Sequence, residues 1–242
     1  MYKNVKTIAY TLLTNWFWSD IIFLNFQVAK INLTSRFTTV LKGVPFLKKV
    51  ITISREYGSG GREIGKMVAD KLGYKFYDAE IIDEVVASSG LSREIVEKYD
   101  EYATHKNSFL YAIAINAGSD SRLSVAGQVH SAQTEVIRKI ADEGNCVIIG
   151  RGADYILRDR EDCLNVFVRA SIDFRAKRIL DLYGDDGKRI ESRLEDKDQR
   201  RRVYYRSFTM REWGLIENYN LVLDSSAIGI EKCADIICNI VK

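Results

Sequence analysis

The sequence predicts an α/β fold, a doubly wound parallel sheet flanked by helices. Three observations carry the prediction. Short apolar runs alternate with stretches of helical period from residue 49 to residue 242. The first run, at Val50, Ile51 and Ile53, leads through a glycine cluster into an amphipathic segment. A later one, Cys146-Val147-Ile148-Ile149, is wholly apolar, the mark of a strand buried on both faces.

Each element has its own warrant. Behind the first strand stand Gly58, Gly60 and Gly61; Ile64, Val68 and Leu72 then recur at four-residue spacing with Lys66, Asp70 and Lys71 between them. Glycines let a backbone take positive φ and turn its N–H groups toward an anion. The helix N-terminus adds the positive end of its dipole. Strand, glycine loop and helix are the layout of a phosphate cradle. Tyr74 to Asp78 is a short strand ending in an acid, and Ile81, Ile82, Val85 and Val86 mark a helix. Leu91 to Tyr102 is another, with Ser92 as its N-cap. Residues 104–126 are poorly patterned and read as a mobile insert. Val129 to Ala141 carries a clean helical face that ends at Gly144.

The strand at Cys146–Ile149 runs into Gly150-Arg151-Gly152. Ligands of open parallel sheets sit beyond the carboxyl ends of the strands, so Arg151 is expected where the first loop is. A strand at Leu164–Val168 precedes a helix from Ser171 to Tyr183. Residues 185–212 are highly charged and read as helical, with Lys197, Arg200, Arg201, Arg202, Arg206 and Arg211 interleaved with Tyr204 and Tyr205. A solvated face accounts for most of these cations, yet the cluster has the charge to close over a polyphosphate. Leu221–Asp224 is the last strand and Ile228 to Val241 the closing helix.

The loop departs from the standard phosphate-loop spacing, Gly-x-x-x-x-Gly-Lys-Ser/Thr. With Gly60 as the second glycine, the first falls on Arg55, the lysine on Gly61 and the hydroxyl on Arg62. The dinucleotide spacing fails too, because Glu63 stands where the third glycine belongs. Arg55 and Arg62 restore weight to the anion reading, since a guanidinium on either side of the turn suits bidentate contact with phosphate oxygens.

Composition sets the outer bounds. The chain has 242 residues, 46% of them hydrophobic, enough for one large domain with an extension. A net charge of +3 gives no case for a nucleic-acid partner. Cys146, Cys163, Cys233 and Cys238 form no C-x-x-C pair and read as reduced core residues of a cytoplasmic protein. His105 and His130 lie far apart without patterned partners and read as packing or surface residues, so no metal site is supported. Residues 1–48 hold Trp16, Trp18 and the single proline, Pro45. The apolar stretch from Ile8 to Ala29 is broken by Asn15, Asp20, Asn25 and Gln27. Those breaks count against a spanning helix or signal peptide. The segment reads instead as an N-terminal extension, or as an upstream translation artefact, ahead of a folded unit at 49–242.

The order ITISREYGSGGREIG, GYKFYDAEII, VIIGRGADYIL, VFVRASIDFRAKRI, DKDQRRRVYYRSFT and YNLVLDSSAIGIEKCADII resembles the bacterial cytidylate kinase-like proteins, P-loop relatives of the nucleoside monophosphate kinases. The resemblance covers about residues 49–242. It implies a P-loop nucleoside monophosphate kinase-like fold with a parallel five-stranded core, a helical monophosphate-binding insert and an arginine-rich lid. The activity it implies is transfer of the γ-phosphoryl group of ATP, with Mg²⁺, to CMP or dCMP. Carried onto this chain, Arg55, Glu56, Tyr57, Gly58, Ser59, Gly60, Gly61 and Arg62 would cradle the ATP phosphates. Arg151 matches the arginine of the family's Gly-Arg-Asp segment, which holds the substrate. Asp78 matches the acid that ends the second strand. The lid would span about Glu195 to Arg211, with Arg200 and Arg206 as cations for the transition state, beside Arg62 and Arg151. The implied Mg²⁺ ligands are unknown. The acceptor-reading Ser and Arg of the family are Ala79 and Glu84 here, and the Asp of Gly-Arg-Asp is Gly152. Two alternatives stand beside a cytidylate kinase: a nucleotide-binding sensor without catalysis, and a kinase of a different small molecule.

Overall fold

A computed structural model describes residues 48–100, 125–187 and 189–241. The extension expected over residues 1–48 lies outside them, except for Lys48, as does most of the insert expected at 104–126.

Five strands form one parallel sheet in the order β2-β3-β1-β4-β5. They are β1 Val50–Arg55, β2 Lys75–Tyr77, β3 Cys146–Ile149, β4 Cys163–Arg169 and β5 Leu221–Asp224. The glycine-loop strand β1 is therefore central, between β3 and β4. Side chains alternate along the strands. Val50, Cys146 and Ile148 join one buried cluster, while Ile51, Ile53, Val147 and Ile149 join another on the opposite face. The first face is covered by α2 (Glu80–Ser89) and α4 (Val125–Glu143), the second by α1 (Gly61–Leu72) and α9 (Ile230–Val241). This is the doubly wound arrangement expected from the wholly apolar strands.

The remaining helices among the described residues are α3 (Arg93–Lys98), α5 (Ala153–Ile156), α6 (Ile172–Tyr183), α7 (Ile190–Thr209) and α8 (Ser225–Ile228). Ser92 and Ser171 cap α3 and α6, their hydroxyls accepting from the Ile95 and Phe174 amides. Several elements differ from expectation. Helix α3 stops at Lys98 rather than Tyr102, α4 is described from Val125, four residues before Val129, and the closing helix is split at Gly229, whose φ of +91° breaks the run between α8 and α9. The four cysteines are buried and none forms a disulfide.

Candidate active site

The chain leaves β1 at Arg55 and enters α1 at Gly61, and the five intervening residues make the loop. Gly58 and Gly60 take φ of +84° and +80°, a backbone that side chains resist. Gly60 caps α1 without a side-chain cap bond. The amides of Gly58, Gly60 and Gly61 donate to no acceptor among the described residues. The Ser59 hydroxyl turns back onto the Glu56 carbonyl at 2.8 Å. Ser225 anchors the loop from behind, donating to the Ser59 carbonyl at 2.6 Å. Glu56 belongs to the scaffold, its carboxylate accepting from the Ala170 amide at 2.9 Å. A Cβ at Gly61 would stand 2.5 Å from Arg55 Cβ, so α1 can start this close to β1 only without a side chain there.

A cavity of about 450 Å³ opens in front of the loop, between α1 and α6. Arg55, Tyr57, the three glycines, Arg62 and Arg201 line one end. Met67, Ile179, Leu182 and Tyr183 give the other end an apolar wall. Arg178 of α6 reaches across to pair with Glu63 of α1. Arg55 and Arg62 differ sharply. Arg55 is buried at the end of its strand, whereas the Arg62 side chain is 64% exposed and its Nε donates to Asp78 Oδ2 at 2.6 Å. The Arg62 guanidinium also stands 5.6 Å over the Phe76 ring.

Asp78 joins this region to a second one. Arg151, with φ of +55° and no exposed surface, places Nη1 3.4 Å from Asp78 Oδ1. Its Nε and Nη2 grip Asp100 in a two-point pair at 3.0 and 3.1 Å. Gln133 donates to Asp100 at 3.0 Å, and Tyr204 of α7 donates to Gln133 at 2.9 Å. The result is a buried chain of polar groups from α7 to the rim of the loop. Helix α2 takes Ala79 as its N-cap with no side-chain cap bond, and the Asp78 amide donates to the Glu80 carboxylate at 2.9 Å. Nearby, Tyr205 donates to Asp154 at 2.7 Å; burial first, and then the Asp154 charge, push that phenol well above its usual range.

Helix α7 also touches the loop. Asp198 accepts from the Tyr57 amide at 2.7 Å, and Arg201 donates to the Arg55 carbonyl at 3.1 Å. Asp198 further pairs with Arg175 of α6 at 2.5 Å. Arg200 lies at a second, polar cavity beside Tyr57, Arg193 and Lys197, where burial and the Arg200 charge lower the Lys197 pKa. Arg206 is exposed and lines neither cavity. The structure thus gathers Arg55, Tyr57, Arg62, Asp78 and Arg151 at one edge, with Arg200 next to them and Arg206 apart. Sequence reasoning missed Asp198, had Arg201 only as one of a run of cations, and gave Arg175 and Arg178 no site role. The three-residue spacing of Asp198 and Arg201 was the one local signal, since it puts an ion pair on a single helix face.

The fold and the site define a parallel α/β domain whose glycine loop stands at the carboxyl edge of its central strand. The profile of the cytidylate kinase-like family matches residues 50–227, and the chain belongs to that family. It is 26% identical over 196 residues to a cytidylate kinase of Archaeoglobus fulgidus, covering 79% of this chain and 94% of that one. It is 24% identical over 184 residues to a cytidylate kinase of Pyrococcus horikoshii, covering 76% and 83%. An uncharacterised protein from Eubacterium ventriosum has a similar crystal structure, with a TM-score of 0.60, 23% identity and 79% and 97% coverage. Family and relatives support a kinase.

Proposed function

We propose that the protein transfers the γ-phosphoryl group of ATP to a nucleoside monophosphate, with CMP or dCMP as the acceptor, and that it does so in the cytoplasm, where its buried thiols stay reduced. The observation that carries this reading is a cavity lined by Gly58, Gly60 and Gly61, whose amides have no acceptor among the described residues, with Arg62 and Arg201 on its wall. Those groups fit a polyphosphate: fixed N–H donors and guanidinium groups are what phosphate oxygens require. The apolar wall of Met67, Ile179, Leu182 and Tyr183 fits a nucleobase. No three acidic, His or Cys groups cluster for a metal among the described residues. No side chain is therefore assigned to Mg²⁺, which in kinase sites is held largely through phosphate oxygens and water.

Bound ATP supplies the group transferred, and Mg²⁺ offsets its charge. The chain supplies position and charge neutralisation, the main work of phosphoryl transfer. The loop amides orient the phosphates. Arg62 stands at the cavity rim, steered by Asp78, and offers its guanidinium to the developing charge. Arg151 holds Asp78 in turn. Removing a preorganised donor costs on the order of 10²–10³ in rate, so Arg62→Ala lowers turnover by about that factor.

The test is ADP release from ATP and Mg²⁺ against a panel of nucleoside monophosphates, with Arg62→Ala as control. Release that depends on CMP or dCMP and is lost in the variant supports the reading. A different acceptor in the panel replaces CMP but keeps the kinase. The burial of Arg151 between two carboxylates favours one other reading, a nucleotide-binding sensor without transfer. ATP binding with no release for any acceptor would decide for it.

A further inference from the structure

Asp198 presents the loop with an anion of the chain's own. Its carboxylate is nearly fully buried, with 2% of the side chain exposed, and meets three donors from three elements. The Tyr57 amide stands 2.7 Å from Oδ1, Arg201 Nη1 3.3 Å from the same oxygen, and Arg175 Nη1 2.5 Å from Oδ2. Arg175 Nε is buried, has no hydrogen-bond partner among the described residues, and forms only a loose ion pair with Glu56 at 3.7 Å. Two guanidinium groups and a loop amide converging on one anion are the elements of a phosphoryl site. Arg201 also lines the glycine-loop cavity, so this cluster and the cavity share a wall.

We propose that the Tyr57 amide, Arg175 and Arg201 form a phosphoryl-binding subsite, and that Asp198 fills it in this conformation as a stand-in for a phosphate. The inference rests on the polyphosphate reading of the loop and deepens it. A phosphoryl group carries at least the charge of a carboxylate and one more terminal oxygen, so it can give Arg175 Nε the hydrogen bond that Asp198 does not. Binding it displaces Asp198 and frees α7 from the Tyr57 amide, which couples occupation of the loop to the position of the arginine-rich helix. The competing account makes Asp198 a fixed strut that holds the two arginines in place. The two accounts predict opposite signs. Neutralising a strut loosens the arginines and weakens anion binding. Neutralising a competitor strengthens it.

The experiment is calorimetric titration of the full chain with inorganic tripolyphosphate, comparing wild type with Asp198→Asn. Loss of a competing charge-assisted contact predicts binding on the order of 10-fold tighter in the variant. Equal or weaker binding, or no binding by either protein, overturns the proposal. Should Asp198→Asn fail to fold, the Tyr57 amide and Asp198 side-chain carboxyl resonances of the wild type are followed during the same titration. Both must move and saturate together; either one unmoved at saturation overturns the proposal. The ADP-release assay on the wild type is a separate arm. Transfer without tightening sinks the subsite and leaves the kinase. Tightening without transfer sinks the kinase and leaves the subsite.

Discussion

The two flanks of β1 use the same residue types to opposite effect. On the β4 side, between α1 and α6, the glycine loop faces a cavity of about 450 Å³, and Arg62 on its wall is largely exposed. On the β3 side, the space beside Ser54, Arg151 and Tyr205 is about 10 Å³, and Arg151 is wholly buried against Asp78 and Asp100. Both arginines stand at the carboxyl edge of the sheet, where position alone predicts a ligand-binding role. The neighbouring carboxylates set the two apart. A guanidinium buried and gripped at two points by an acid already has an anion in place; one that is largely exposed at a cavity wall can reach another.

The comparison breaks first at Arg151. Removing one partner of a buried ion pair strands the other, at a cost of about 3–5 kcal/mol. Arg151→Met keeps most of the volume and removes the charge. Chemical denaturation is expected to show a loss of that size; a loss under about 1 kcal/mol would mean that water or another cation reaches Asp100. His130 gives the next effect. It stacks on Phe208 at 4.2 Å, and its buried Nδ1 has no hydrogen-bond partner among the described residues. Burial lowers its pKa to about 4. The unfolded chain therefore takes up the proton first, so the stabilising contribution of the neutral ring is whole above about pH 6.5 and is lost as pH falls toward 4. The full traverse is worth up to about 3 kcal/mol. His130→Phe should flatten that stretch of the stability–pH curve, and an unchanged slope would assign it to other groups.

On the open flank the sharpest test is to put back the missing lysine. From the sequence, Gly61→Lys repairs the phosphate loop. In the structure its Cβ would meet Arg55 Cβ at 2.5 Å, and neither atom is the free end of a flexible side chain. The variant is expected to lose about 1–3 kcal/mol of stability, the usual cost of overpacking, and to gain no turnover. A stable variant with faster ADP release would show that β1 and α1 can part at this point.

Much of this contrast was legible before any coordinates. Val50, Ile51 and Ile53, Cys146 to Ile149 and Leu221 to Asp224 announce their strands because apolar β-rich residues buried on both faces leave no competing period. The glycine loop was legible because its backbone demands are local. The partner of Arg151 was not: Asp100 is 51 residues away, on the far side of β3 from Arg151 in the chain. Asp198 was hidden differently. Within a run of charges its i+3 arginine looks like an ordinary surface pair, and nothing in the run says that this one carboxylate turns inward to the Tyr57 amide. Positions of charge can be read locally, whereas the pairing that decides their use is tertiary.

The smallest expected effect is the one that separates stability from catalysis on the open flank. Arg62 is exposed, and exposed ion pairs contribute about 0–1 kcal/mol even when the contact is short. Asp78, its partner, is buried but keeps Arg151 when Arg62 is removed, so no carboxylate is stranded. Arg62→Ala should therefore denature within about 1 kcal/mol of the wild type, the limit for an exposed pair, while turnover falls on the order of 10²–10³. A large loss of stability in Arg62→Ala would show that Asp78 depends on it, that the buried chain from Tyr204 extends to the loop as one unit, and that the two flanks of β1 are a single structure rather than two.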